Sequence, residues 1–318
     1  MRFVNDERVS LTDSQSTTLQ HVKTNTSEVK THDMSDSEAP GMRSLWWEGL
    51  RCGLRNVPHV RDKAALRHTL RLLLCPVDLW RYAEFAAVLA AYRGQSPILD
   101  IASPKLLSLV LARRFDAHVF TGDIVRQLGE ETAVYARAAN RGALTPCVFD
   151  ARALPFANES VPFVYSVSVV EHIGNDGDGQ ALREMGRVLA PGGTAVITAP
   201  VGPEFREIWL EHDPYGHQPK DGDRAFFSYI YDRQTLHDRL VKPSGLTLET
   251  LSVWTENPPG WYETQYVPAV ASGPLRAAAT KLRDPWLARR HIRKLPDGAT
   301  CAGRGVAALV LRKREEET

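Results

Sequence analysis

Apolar residues fall into three regimes along the chain. Over residues 1–43 they are sparse, and stretches such as LTDSQSTTLQ and TNTSEVKTHDMSDSEAP follow neither a helical nor a strand period. A segment of that kind buries too little surface to offset its ordering entropy, so a disordered tail is expected there. Over 44–94, in SLWWEGLRCGLRNV and DKAALRHTLRLLLCPVDLWRYAEFAAVLAAYRG, Leu, Trp, Phe and Ala recur at helical spacing with arginines on the alternate face. Two or three helices are expected, interrupted at Pro58 and Pro76. They would pack as a layer on a sheet, or cap a ligand pocket into which Trp80, Arg81, Tyr82, Glu84 and Phe85 face.

After Gly94 the period alternates between strand and helix. SPILDIA, AHVFTGDI, PCVFDA, VPFVYSVSVVEHI, GGTAVITAPV, LTLETLSVWTE and GVAALVLRK predict seven strands. PKLLSLVLARRF, ETAVYARAANRG and GQALREMGRVLA predict helices between them. Near-continuous apolar strands separated by helices imply a mostly parallel sheet covered on both faces, the α/β doubly wound arrangement. Its core would span 95–256, a long insertion 257–300, and the last strand with a charged C-terminus 301–318. A ligand is expected at the carboxyl ends of the first strands.

Three carboxylates stand at three successive strand tips. Asp100 closes the first strand and precedes IASPK, where Ser103 is a good N-cap, Pro104 suits the first helical position and Lys105 follows. Free amides of that helix would then face whatever sits beside Asp100, although an ordinary strand-to-helix connection explains the same residues. Asp123 ends the second strand, at the spacing where an acidic side chain accepts hydrogen bonds from ribose hydroxyls; it also suits a helix cap. At the third tip, Asp150 could accept from an exocyclic amine while Ala151 offers its backbone amide, with Leu154, Pro155 and Phe156 as an apolar wall for a base.

In this order and spacing, ILDIASPKLL, VFTGDI, FDARALPFANESVPFVYSVSVVEHI and REMGRVLAPGGTAVITAP resemble the class I S-adenosylmethionine-dependent methyltransferases, in the branch of type 11 small-molecule enzymes. The similarity covers roughly Pro97 to Val201. It implies a Rossmann-like sheet with an N-terminal helical cap and a C-terminal insertion, and S-adenosylmethionine as cofactor. By the same resemblance Asp100, Ala102, Ser103 and Lys105 lie along the methionine end of the donor. Asp123 takes the ribose, Asp150 with Ala151 the adenine, and Ser166 to His172 lie under the methyl group and acceptor. Leu189, Pro191, Gly192 and Gly193 make the turn into the fifth strand. The family's first turn carries three glycines; here those places hold Ala102, Pro104 and Leu106, so donor binding leans on Ser103, Lys105 and the other two carboxylates.

Methyl transfer to oxygen needs a base of near-neutral pKa, and His172 after the fourth strand is placed for it. A histidine that only organises the following turn is the alternative. Within EFREIWLEHDPYGHQPKDGDRAFFSYIYDRQTL, expected as a wall of the acceptor pocket, Glu211, His212, Asp213 and His217 lack zinc-site spacing, and no metal is expected. Tyr215, Phe226, Phe227, Tyr229 and Tyr231 add aromatic surface. In the insertion, Trp261, Tyr262, Glu263 and Tyr266 could form a lid. Residues 276–294 set seven arginines and lysines against Asp284, suggesting a weak contact with an anionic surface, or simply a solvated helix.

The charge total narrows the partners. With 39 Lys+Arg against 38 Asp+Glu the net charge is +1, which leaves no global field for nucleic acid, and no sequence-specific nucleic-acid partner is expected. Cys52, Cys75, Cys147 and Cys301 form no CxxC pair and fit a reducing compartment. No apolar run approaches the roughly 20 residues of a membrane span, and MRFVNDERVS does not read as a secretory signal. A cytoplasmic enzyme acting on a small-molecule or glycan-like acceptor is therefore expected. A methyltransferase-like scaffold without activity is its main competitor. A nicotinamide-dependent oxidoreductase is disfavoured because it needs the glycine-rich turn even more, to admit a pyrophosphate.

Overall fold

The computed structural model describes residues 42–124, 144–213, 216 and 218–315. The tail expected over 1–43 lies outside them except for its last two residues, and so does the helix expected at ETAVYARAANRG. The cap begins with α1 (Met42–Asn56) and a short 3-10 turn (Val57–His59), followed by α2 (Lys63–Leu74) and α3 (Arg81–Ala91). The Asp62 side chain accepts from Ala65 N at 2.7 Å and starts α2. In α3 one face buries Tyr82, Phe85, Val88 and Leu89 against the sheet.

Beyond the cap come β1 (Ile98–Ile101), α4 (Lys105–Arg114), β2 (Val119–Asp123), β3 (Leu144–Val148), β4 (Val161–Val167), α5 (Gly177–Val188) and β5 (Leu189–Val201). Next are β6 (Arg206–Leu210), β7 (Lys220–Asp221) and β8 (Arg224–Ile230). A helical stretch, α6, then joins Arg233–Leu236, a π-turn His237–Val241 and Lys242–Ser244, and β9 (Thr247–Glu256) follows. The insertion holds α7 (a π-turn Tyr262–Tyr266 with Val267–Ala271), α8 (Pro274–Leu282), α9 (Asp284–His291) and β10 (Ile292–Lys294). The last strand is β11 (Gly305–Arg312).

The main sheet has eight strands in the order β10-β9-β11-β5-β4-β1-β2-β3. The five strands from β5 to β3 run parallel; β11 is antiparallel to both β5 and β9. All seven expected strands are present. Four others escape the strand period: β10, which adds to the sheet edge, and β6, β7 and β8, which form a separate three-stranded sheet. That second sheet occupies the segment expected as a loop-like pocket wall. β6 and β7 are short and exposed or half-buried, so no strand pattern marks them, whereas β8 is a mostly buried run, AFFSYI, that the aromatic residues alone do not identify as a strand.

Two apolar cores flank the main sheet, as period 2 along β1 requires: Ile98 packs with Phe85, Leu107 and Phe163 beneath the cap, while Leu99 packs with Leu182, Met185 and Tyr231 on the other side. The connection from β1 leads to β2 and that from β4 to β5, on opposite sides, so a crevice opens above the tips of β1 and β4. The second sheet is pinned above that crevice by one buried carboxylate. Asp178, in the first turn of α5, accepts from Arg239 Nε at 2.8 Å, Arg239 Nη2 at 2.9 Å and Tyr231 Oη at 3.0 Å. Truncating Asp178 removes three hydrogen bonds but leaves Arg239, part-exposed, its contact with Asp176 Oδ1 at 3.0 Å. Asp178→Ala should therefore cost about 2 kcal/mol in urea unfolding, and Asp178→Asn less; a loss below about 1 kcal/mol for the alanine variant would contradict the pinning role.

Candidate functional site

The tip of β1 is built around Asp100. Its side chain is fully buried and takes three donors: Ser103 N at 3.0 Å, Thr121 Oγ1 at 2.6 Å and Ser108 Oγ. Lys105 Nζ lies 4.0 Å away and donates to Thr121 Oγ1 at 3.1 Å. This corrects the expected cap. Because Asp100 captures the Ser103 amide, the Ser103 hydroxyl does not cap α4; it accepts from Val167 N at 2.9 Å and so ties the turn to β4. Pro104 is the cap residue, without a side-chain bond. Ala102 adopts φ +54°, the left-handed region that costs a side-chain-bearing residue about 1 kcal/mol, and its amide is spent on Gly122 O at 2.7 Å.

Above this turn lies a cavity of about 490 Å³, within the range of small-ligand pockets. Ala102, Gly122, Asp123, Asp150 and Ala151 are among its walls. Gly122 is required by close approach, since a Cβ there would stand 2.1 Å from the Phe149 ring. The Phe149 ring thus stands against the backbone of β2 and supplies apolar wall. Leu154, Pro155 and Phe156, expected as that wall, do not line the cavity: Leu154 is buried in the lower core, and Phe156 packs on Phe120 and Phe149. Asp150 is gripped by Arg152, whose Nη2 donates to Oδ2 at 2.6 Å while its backbone amide donates to Oδ1 at 2.8 Å. Pro104 and Leu106 do not intrude; Leu106 is buried toward the cap.

A second cavity, of about 330 Å³, lies on the cap side and shares Arg81, Ser168 and His172 with the first. Glu84 forms the joint. Fully buried in α3, its carboxylate accepts from Arg81 Nη1 at 2.5 Å, Thr198 Oγ1 at 2.8 Å and Ser168 Oγ. Ser168 itself holds φ +48° just past β4 and donates its amide to Thr198 O at 3.0 Å. Such strain persists where the surroundings over-determine it, commonly at ligand sites. Burial opposes the charge of Arg81, but the field and hydrogen bond of Glu84 win and raise its pKa.

His172, in the 3-10 turn Val170–His172, lies 2.6 Å from Phe227 O through Nδ1. A carbonyl only accepts, so the proton sits on Nδ1 and the lone pair on Nε2. Burial lowers the His172 pKa and keeps the ring neutral at neutral pH. Nε2 lies 3.9 Å from Glu171 Oε1. Glu171 is itself buried, Oε2 has no hydrogen-bond partner among the described residues, and burial raises its pKa to about 8. A neutral imidazole and a protonated carboxyl thus stand side by side on the cap-side cavity.

Of the expected site residues, the structure brings Ala102, Asp123, Asp150, Ala151 and His172 to the cavities. Asp100, Ser103, Lys105 and Ser166 lie beneath the floor; Ser166 donates to Ile101 O at 3.3 Å. In the cap, Trp80, Arg81 and Glu84 face the cavity, whereas Tyr82 and Phe85 turn into the core. In the insertion, Tyr262 and Tyr266 line it, but Trp261 stacks on His291 and Glu263 pairs with Arg304 at 2.9 Å outside. His217 and Tyr215 lie outside the described residues, among which no group of three or more metal-ligating side chains occurs. Phe226, Tyr229 and Tyr231 are core; Phe227 reaches the cavity. Ser168 and Glu171 fall within the Ser166–His172 stretch expected beneath the methyl group and acceptor, but nothing in the sequence singles out either from its neighbours.

Residues 99–197 match a family model described as a methyltransferase domain. Among curated proteins, the chain is 32% identical over 140 residues to the biotin biosynthesis bifunctional protein BioHC of Cellvibrio japonicus, a match covering 42% of this chain. That match spans about a quarter, 26%, of the relative's length. Among solved structures, the chain resembles the geranyl diphosphate C-methyltransferase of Streptomyces coelicolor, with TM-score 0.47 and 12% identity over 80% of this chain and 84% of that one. It also resembles an S-adenosylmethionine-dependent methyltransferase from Mesorhizobium loti, with TM-score 0.41 and 15% identity over 73% and 98% of the two chains.

Glu171 carries a pH signature. Its pKa is about 8 in the fold against an ordinary 4.5, so the native state holds a proton the unfolded chain releases. Stability from this group is complete below about pH 4.5 and falls as the pH rises toward 8. Glu171→Gln, isosteric and unable to ionise, should flatten that fall. Melting temperatures at pH 5 and pH 8.5 would show it, and equal declines in both proteins would contradict it.

Proposed function

We propose that the chain, whose residues 99–197 match a methyltransferase domain, is a class I S-adenosylmethionine-dependent methyltransferase that methylates a hydroxyl oxygen of a small-molecule or glycan-like acceptor. The observation that carries this reading is the meeting of two cavities at Arg81, Ser168 and His172. The larger one fits an adenosyl group. A glycine whose missing Cβ admits the Phe149 ring, the strand-tip carboxylates Asp123 and Asp150, and an apolar wall are the partners a nucleoside requires. In this proposal Asp123 holds the ribose, and Asp150 with Ala151 meets the base edge beside Arg152. Ala102 brings its backbone close to the donor's methionine end. Arg81 takes the donor's carboxylate, since the amides of Ala102 and Ser103 are both spent inside the turn. Asp100, Ser103, Lys105 and Ser166 position that turn from below.

When bound, S-adenosylmethionine supplies a methyl group on a sulfonium, whose sulfur leaves as a neutral thioether. The remaining work belongs to the chain. His172 accepts the acceptor's hydroxyl proton at Nε2, because Nδ1–H is committed to Phe227 O. The imidazolium so formed sits 3.9 Å from Glu171 Oε1 and favours ionisation of that carboxyl. Tyr262, Tyr266 and Trp80 give the acceptor cavity aromatic walls that exclude water. A cytoplasmic setting belongs to the same proposal and rests on the free Cys52, Cys75, Cys147 and Cys301. A scaffold without activity is the second reading, favoured by the internally spent amides of the first turn.

Calorimetry with S-adenosylmethionine separates the two. Binding that Asp123→Ala weakens by about tenfold, a loss of ~1.4 kcal/mol, is expected; no heat at millimolar donor would leave the scaffold. With a panel of phenols, hydroxy acids and sugars, His172→Ala should slow methylation at saturating donor by about 10²–10⁴. A product methylated at nitrogen or carbon would overturn the oxygen assignment.

A further inference from the structure

Helices α1, α2, α8 and α9 expose a surface that the methyl-transfer chemistry does not use. On α2, Ala65, Thr69 and Leu72 are buried, so Leu66, Leu70 and Leu74 face outward between Lys63, Arg67 and Arg71. On α1 the outward stripe is Trp47, Arg51, Leu54 and Arg55. On α8 and α9 it is Leu275, Leu282, Arg283, Trp286 and Arg290, with Leu275 87% exposed and Trp286 53%. These helices adjoin: α1 packs on α2, α9 on α1, and α8 on α9. Three large leucines, each nearly half exposed at one-turn intervals along α2, form an apolar stripe that the buried face of this helix does not account for.

The charge is as uneven as the hydrophobicity. Residues 42–74 hold seven arginines and lysines against Glu48 and Asp62, and residues 275–294 hold seven against Asp284, in a chain whose net charge is only +1. The three carboxylates are turned to internal work. Glu48 accepts from Arg113 at 2.5 Å and from Arg51 at 2.8 Å; Asp62 caps α2; and Asp284 is buried and accepts from Tyr266 Oη at 2.9 Å. Trp286 lies between the guanidinium groups of Arg283 and Arg290, at 5.6 and 5.4 Å. Leucine and tryptophan interleaved with arginine on exposed helix faces match a bilayer boundary, where apolar tips enter the acyl region and cations meet lipid phosphates.

We propose that this helical face docks the protein peripherally on an anionic lipid bilayer. No helix among the described residues is long and apolar enough to cross one, so attachment is to the surface. Two other occupants fit less well. A second copy seated face to face would oppose two strongly cationic surfaces, and RNA would leave Leu66, Leu70 and Leu74 without partners, because bases are held by stacking and polar contacts. Docking also bears on the acceptor cavity. Lys281 of α8 pairs with Asp78 at 2.6 Å, just beyond α2, and both belong to its wall. The face that meets lipid is therefore continuous with the acceptor cavity.

The full chain can be sedimented with phosphatidylcholine vesicles and with vesicles carrying about 30% phosphatidylglycerol. Binding to the anionic vesicles alone is expected, reduced by about tenfold at roughly 0.5 M salt. Leu66→Glu with Leu70→Glu, and separately Arg61→Glu with Arg67→Glu, should each weaken it by about tenfold or more. Quenching of wild-type tryptophan fluorescence by brominated acyl chains reads insertion without any variant and is expected too. No preference for anionic vesicles, binding that survives both pairs of substitutions, or absence of quenching would overturn the proposal. So would a dimer that the leucine pair dissociates, or a single-stranded RNA complex that only the arginine pair disrupts.

Discussion

A buried carboxylate, Glu84, ties the cap to the sheet at the site, beside the apolar core that packs the two together. Glu84 comes from the cap, and three donors converge on it: Arg81 from its own helix, Ser168 from the end of β4 and Thr198 from β5. A carboxylate removed from water is costly unless it is fully hydrogen-bonded, so Glu84, together with the apolar face of its helix, holds the cap at one height above the sheet. That height leaves room for two adjoining cavities and sets Arg81 in the wall between them. Ser168 keeps its left-handed backbone because the same carboxylate and Thr198 hold it from two sides.

The turn after β1 follows the same physics with a different carboxylate. Here Asp100, buried under three donors, holds the turn, and Ala102 is left in a strained left-handed backbone. The turn is thereby rigid but poor in outward-facing amides. Arg81, held by Glu84, stands in the wall of the cavity above this turn. The role proposed for it toward the donor's carboxylate follows from that shortage of outward amides.

The strands at the centre of the sheet were legible because burial on both faces writes a continuous apolar run, and their tips were legible because acidic residues ended them. Asp123 and Asp150 come to one cavity for that reason. The role of Ser103 was misjudged because N-cap statistics are local, whereas the Asp100 carboxylate competes for its amide and Val167 for its hydroxyl. The Glu84 joint could not be read at all, since its partners lie 84 and 114 residues away. The second sheet hides for a similar reason: two of its three strands are short and exposed or half-buried, and its seating depends on partners distant in sequence, Asp178 among them. The part played by Glu171 depends on its burial, which a carboxylate next to a histidine in the sequence does not reveal.

The shared wall can be seen directly. A crystal structure of the full chain with S-adenosylhomocysteine should place the nucleoside between Asp123 and Asp150 against Phe149, with the sulfur beside Arg81, Ser168 and His172 and turned toward the cap-side cavity. A ligand whose sulfur points away from that wall, or a Glu84 carboxylate released from Ser168 and Thr198 in the bound state, would contradict the arrangement described.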